Sequence, residues 1–219
     1  MIPLRVTARV RGEISLTHGY LHLDGLLAWA VCQRDRIPPA MTPDEWVPVE
    51  IPVERSECGR YHLCSASIGR AEWHEVRYTV RRFPIERGQK LLPEKVRRVN
   101  LSAGAQKHFR IPRTSMHLQD DELRWHLLGE PEEVERLLSL VHYLGKRRAV
   151  AAHRPVEWSV EEDEPWGDGY PVLRDGQPLR HLPADLPGLR TERRMFGRLS
   201  YPYHQPALGE ELIATPEPA

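Results

Sequence analysis

Three adjacent cations, Lys146, Arg147 and Arg148, with Arg154 following, stand between an apolar segment and a short alternating one in VHYLGKRRAVAAHRPVEWSV, residues 141–160. A guanidinium donates two parallel hydrogen bonds in a geometry that matches phosphate. A tight turn adds backbone N–H groups to the same anion site. The chemistry these residues predict is capture of a polyanion. A plainer reading uses the same residues: cations at a helix C-terminus complement its dipole by about 0.3–1 kcal/mol. The run alone leaves both readings open.

A second basic constellation tips the balance. Residues 81–113, RRFPIERGQKLLPEKVRRVNLSAGAQKHFRIPR, hold ten Lys or Arg against two Glu, although the whole chain has 31 basic and 31 acidic residues. Lys95, Arg97 and Arg98 precede SAGAQ; Lys107, His108, Arg110 and Arg113 follow it. A merely solvated surface usually interleaves both signs. Single-sign clustering costs self-repulsion, which a nucleic-acid backbone relieves through counterion release. His108 and Phe109 offer rings for base stacking, and Phe109 serves equally well as a packing residue.

Other chemistries find less support. Eleven histidines are scattered without an HExxH or a comparable ligand pattern, so neither a metal site nor a cofactor is expected. GxSxG, Walker and GxGxxG motifs are absent. A metal-free ribonuclease needs only an acid and a base around a 2′-hydroxyl; His18 with Tyr20, or His153 in the basic loop, are the candidates, and a bland role outweighs a catalytic one for each. Cys32, Cys58 and Cys64 follow no zinc spacing and suit a reducing cytoplasm. No apolar run reaches the roughly 18 residues of a membrane span, and the opening MIPLRVTARVRG lacks the apolar stretch of a signal peptide.

The elements that must position these residues follow from periodicity. PLRVTARVR, residues 3–11, alternates as a strand whose polar face carries three arginines, unusual for an idle surface. Asp24 is placed to cap a helix over about 25–35, ended by Pro38 and Pro39. WVPVEIPVE, 46–54, reads as an edge strand because of its prolines. Strands are expected near 60–68, 75–83 and 122–129, with 84–113 protruding as a hairpin or arm. PEEVERLLSLVHYLG predicts a helix with Pro131 near N1 and Gly145 as its C-cap, leading into the strand VEWSV, in which Trp158 packs inward. From Glu161 onward proline, glycine and charge dominate, so the tail is expected to wrap over the domain without a second core. The order strand, helix, strands, arm, strand, helix, strand fits an α+β, ferredoxin-like (RRM-like) sheet. Residues 1–160 form that domain and 161–219 a loop-rich extension packed on it.

Four blocks in this order, PLRVTARVRG, LDGLLAWAVCQRD, LGKRRAVAAHRPVEWSV and LSYPYHQP, resemble the RAMP-superfamily subunit of type IV CRISPR effector complexes that caps the 5′ handle of the CRISPR RNA. The resemblance implies a RAMP core whose arm is a hairpin thumb inserted beside the guide. It implies an RNA-binding protein without nuclease activity, working in plasmid interference and antiviral defence. The partners it implies are the guide RNA, the repeated backbone subunit, a large subunit and target DNA near the protospacer-adjacent motif. In that family the segment after GKRRA is usually glycine-rich. Here Ala151, Ala152 and His153 stand there, so contact would run through the side chains of Lys146, Arg147, Arg148, His153 and Arg154, joined by Lys95, Arg97, Arg98, Lys107, His108 and Arg110 of the arm.

Overall fold

The alternation of the first strand sets the architecture. The structure, a computed structural model, describes residues 1–16, 19–38, 47–69, 71–81, 109–144, 155–201 and 211–216, with the backbone alone at 71–75, 77–81 and 109–114. Strand β1 (Ile2–Val10) lies in the middle of a sheet, between β5 (Glu122–Gly129) and β6 (Val156–Glu162), antiparallel to both. Leu4, Val6, Ala8 and Val10 point to the core with Leu123, Trp125 and Leu127 of β5, while Val156, Trp158 and Val160 of β6 pack on its margin. Period-2 alternation therefore sorts the buried and outward residues between Leu4 and Val10 and between Leu123 and Leu127 correctly, while Ile2 at the strand end is exposed.

Two helices cover that apolar face. Helix α1 (Leu23–Arg34) buries Leu23, Leu26, Leu27, Ala30 and Val31. Helix α2 (Pro131–Leu138) starts on its proline and buries Val134, Leu137 and Leu138. Its end corrects the sequence expectation: the helix stops about two turns before Gly145, in a turn at Ser139 and Leu140. Val141 and Leu144 are still buried, but from a non-helical segment whose Val141 carbonyl accepts the Trp158 indole N–H at 2.8 Å. That bond and the Ser139 hydroxyl, which donates to the Arg136 carbonyl at 2.7 Å, replace a further helical turn.

The fourth position of the sheet is filled irregularly. Residues 62–68 run antiparallel to β5 through single bridges, Cys64 opposite Leu127 and Ile68 opposite Arg124, without forming a regular strand. Residues 47–54 likewise alternate in burial, with Val49 and Ile51 inward, yet form no ladder beyond a bridge from Val53 to Gly129. Pro48 and Pro52 remove the donors a ladder needs. Gly129 is required there, because a Cβ on it would lie 2.8 Å from the Pro52 carbonyl oxygen. The spatial order β6, β1, β5, 62–68, with a helix crossing after β1 and another after β5, defines the α+β core.

Between that edge and β5 the chain makes an excursion. Strands β3 (Ala71–Arg81) and β4 (Phe109–Leu118) form a long antiparallel ribbon, and β2 (Glu13–Ile14) pairs with the base of β4. The ribbon starts earlier than the 75–83 expected for its first strand, and it draws 109–113 out of the arm into β4.

The tail supplies the hairpin β7 (Leu173–Arg174) with β8 (Gln177–Pro178), and a small sheet of β10 (Arg194–Gly197), β11 (Glu211–Ala214) and β9 (Leu182–Pro183) in that spatial order. Val172, Leu182, Leu199 and Ile213 gather with Tyr61 in a second, smaller apolar cluster. The tail thus does build a core of its own, completed by a tyrosine from the first half of the chain. No described helix is long and apolar enough to cross a membrane.

Candidate nucleic-acid interface

The carboxyl end of β1 borders both the segment 145–154 and the base of the ribbon that carries 82–108. Val10 pairs with Val156, the first residue of β6, so the chain that follows residue 154 joins the sheet beside it. The mouth of that segment is closed by a bridge between Tyr143 and Pro155 and by the Val156 N–H, which donates to the His142 carbonyl at 3.2 Å. On the other side Arg9 pairs with Glu122, the first residue of β5, while Glu13 and Ile14 pair with His117 and Met116 of β4. The base of the ribbon therefore flanks the same end of β1.

Lys95, Arg97, Arg98, Lys107 and His108 lie outside the described residues, as do Lys146, Arg147, Arg148, His153 and Arg154. What is described is how their segments are held. The register of the ribbon places Arg81 opposite Phe109, so residues 82–108 leave and return at adjoining positions. Arg110 sits in β4 opposite Val80, and Arg113 sits directly opposite Arg77. Like charges at directly opposed positions disfavour a two-stranded ladder. Helix α2 ends at Leu138, eight residues before Lys146 in sequence.

The arginines on the outer face of β1 have a different standing from the one their sequence suggested. Arg5 pairs with Glu161 at 2.6 Å, Arg9 with Glu122 at 3.1 Å and Arg11 with Glu157 at 3.9 Å, each across a neighbouring strand. Arg124 shares Glu122 at 2.8 Å, and these two arginines hold the Glu122 carboxyl below its ordinary value. Exposed pairs of this kind contribute about 0–1 kcal/mol each. The face is charged but locally balanced, which removes it as the uncompensated polyanion surface the arginines alone implied.

At the opposite end of β1 the sheet carries a histidine–carboxylate pair. His126 projects to the outer face of β5, and its Nδ1 lies 2.6 Å from Asp163 Oδ2. The Tyr170 hydroxyl lies within hydrogen-bonding distance of the same oxygen at 3.2 Å and of the Leu4 and Leu127 carbonyls. Burial pushes the His126 imidazole below its ordinary pKa although Asp163 pulls the other way. The Trp166 edge meets the imidazole, and Arg174 lies 4.4 Å over the Trp166 ring. The outward position of His126 was legible in the alternation of ELRWHLLG. Nothing local tied it to Asp163 or to the tail.

A second network was also out of reach of the sequence. Asp24, expected as an N-cap, lies inside α1, whose cap position is held by His22. Its carboxylate is fully buried and accepts from Arg180 at 3.2 Å. Arg180 also donates to the carbonyls of His62, Cys64 (3.1 Å) and Leu199. Burial raises the Asp24 pKa, but the Arg180 guanidinium, with His62, outweighs it and holds the carboxyl well below the carboxylate range. Tyr20, one candidate partner of His18, is buried with its hydroxyl 2.8 Å from His181 Nε2, and burial pushes its pKa up to about 12. Among the described residues no cluster of three or more His, Cys, Asp or Glu is arranged to hold a metal ion. A scan against models of known protein families finds no match to this chain, and a search of curated proteins finds none either.

Proposed function

We propose that this chain is a non-catalytic RNA-binding protein on a ferredoxin-like, RRM-like core, and specifically the type IV CRISPR effector subunit that caps the 5′ handle of the guide RNA. The observation that carries the reading is that the segment 145–154 and the base of the ribbon that carries 82–108 flank the same end of β1. A single polyanion passing that end meets 145–154, and by following the ribbon for about 25 Å, at the rise of a strand, it reaches the root of 82–108 at Arg81 and Phe109. The register that opposes Arg77 to Arg113 supports it, because two cationic residues at one level of the ribbon suit a phosphate backbone. The spatial order β6, β1, β5 and the 62–68 edge, all antiparallel and crossed by two helices, supports the ferredoxin-like assignment. The four sequence blocks support the narrower identity, with the ribbon as the thumb. The backbone subunit, large subunit and target DNA are the partners that identity brings with it.

The test is ultraviolet crosslinking of the full chain to repeat-derived RNA, read by mass spectrometry. Crosslinks in both 82–108 and 145–154 are expected. Crosslinks confined to the outer sheet face, or to one segment alone, contradict the proposal.

One observation favours a second reading, a metal-independent endoribonuclease: the imidazole of His126 is oriented by Asp163 as a general base requires. It lies opposite Arg5, five residues from Val10 along β1, or about 16 Å at the rise of a strand. That separation from the basic roots places it second.

A further inference from the structure

Strand β10 is an edge. In the small sheet it pairs with β11 on one side, while its other side borders no described strand. The register fixes which backbone groups face outward. The Thr215 N–H donates to the Arg193 carbonyl at 3.4 Å, continuing the ladder in which Arg194 opposes Ala214 and Met195 opposes Ile213. Antiparallel ladders alternate, so Met195 and Gly197 bond to β11 and the N–H and C=O of Arg194 and Phe196 point away from it. Among the described residues no backbone hydrogen bond outside the ladder reaches those groups.

The side chains beside that edge are apolar and exposed. Phe196 is 69 % exposed, Leu212 directly opposite it 48 %, and Met195 39 %. Ile213, opposite Met195, is fully buried and faces the second cluster, whereas Leu212 and Phe196 point to the other face; that face is covered at Ala214 and open at this apolar pair. Natural edge strands are usually blunted by charge, proline or a bulge. This one carries arginines at its start and presents an exposed phenylalanine beyond them.

Charge decides the kind of occupant. The stretch RTERRMFGR, residues 190–198, holds four arginines against one glutamate. Arg193 and Arg194 are exposed at the start of β10, and the Arg194 guanidinium is braced against the Thr191 and Arg193 carbonyls. Pairing β10 with a second copy of itself would bring two such stretches together. We propose that β10 is a docking edge that takes up an extended segment of another protein as an added strand, with that segment's aliphatic side chains on Phe196 and Leu212 and its carboxylates against Arg193 and Arg194. Main-chain hydrogen bonds supply affinity in such strand addition, and alternate side chains supply selectivity.

The experiment uses the full chain and fluorescein-labelled peptides of repeating Glu-Val and of repeating Lys-Val, read by anisotropy and by amide exchange. The Glu-Val peptide is expected to bind and to protect the Arg194 and Phe196 amides. The Lys-Val peptide is expected not to bind. Phe196→Pro removes an outward donor while leaving the β11 ladder its bonds, and should weaken binding by about tenfold or more. Arg193→Glu with Arg194→Glu, a surface change that spares the fold, should do the same and reverse the peptide preference. Equal binding of the two peptides, or absent protection of the two amides by saturating Glu-Val peptide, overturns the proposal. Dimerisation abolished by Phe196→Pro would assign the edge to a second copy, and protection by single-stranded RNA alone would assign it to nucleic acid; either result overturns it too.

Discussion

The Arg180 guanidinium donates to Asp24 Oδ2 at 3.2 Å with neither side chain exposed, which ties the tail of the chain to the first turn of α1 inside the protein. The carbonyls of His62 and Cys64 in the edge segment and of Leu199 in the tail take further donors of the same arginine, so the buried cation is solvated from both. Removing one partner of such a pair leaves an uncompensated buried charge.

Asp24→Ala and Arg180→Ala are each expected to destabilise the chain by about 3–5 kcal/mol. Urea denaturation of the two single variants and the double variant measures this. The double variant should lose much less than the sum, because the cost lies in the orphaned charge. Full additivity would contradict the pairing.

The same carboxylate sets a pH limit. Its pKa in the folded protein is below the ordinary 3.8, so its contribution is present above that value and is lost as pH falls below it. Stability of the native chain is expected to drop below about pH 4. Asp24→Asn should flatten that part of the profile while lowering the plateau.

His126 acts in a higher window. Burial lowers its pKa, so the unfolded chain takes up a proton before the folded one does. The stability it contributes is present above about pH 6.5 and is lost as pH falls through that value. A melting-temperature series from pH 8 to pH 5 should decline in the native chain. His126→Gln should remove the part of that decline centred near neutrality. An unchanged profile would count against the buried, Asp163-held imidazole.

The opposition of Arg77 and Arg113 predicts an exchange of stability against binding. Arg113→Glu places opposite charges across the ribbon and should stabilise the free chain by about 0.2–1 kcal/mol. The same change should weaken RNA binding. A variant that binds RNA as well as the native chain would remove the ribbon from the interface.

How much of this was legible in the sequence depends on the range of the interactions. The alternation of β1, β5 and β6 was, because burial on one face of a strand imposes a period that local residues must obey. Residues 82–108 of the expected arm lie outside the described residues; the antiparallel ribbon of β3 and β4 that frames them was only partly legible, since 109–113 belong to β4. The end of α2 was not, because Trp158, far along the chain, captures the Val141 carbonyl where a further helical turn would have been. Residues 47–54 show the converse: Val49, Ile51 and Val53 are buried as the alternation implied, although Val47 is exposed, and prolines withheld the ladder. The partners of Asp24 and His126 come from the tail, at separations no periodicity spans. The arginines of β1 looked uncompensated for the same reason, since their carboxylates arrive on other strands.

The most direct test of the account is binding of the purified chain to labelled CRISPR-repeat RNA in EDTA over a salt series, on native and denaturing gels in parallel. The account predicts a shifted, intact RNA whose affinity falls steeply with salt. Replacing Lys146, Arg147 and Arg148 together by Ala should lower the slope of log affinity against log salt by about 2, at roughly 0.7 per lost phosphate contact. Absence of any shift at low salt, a discrete cut product, or an unchanged slope in the triple variant would contradict it.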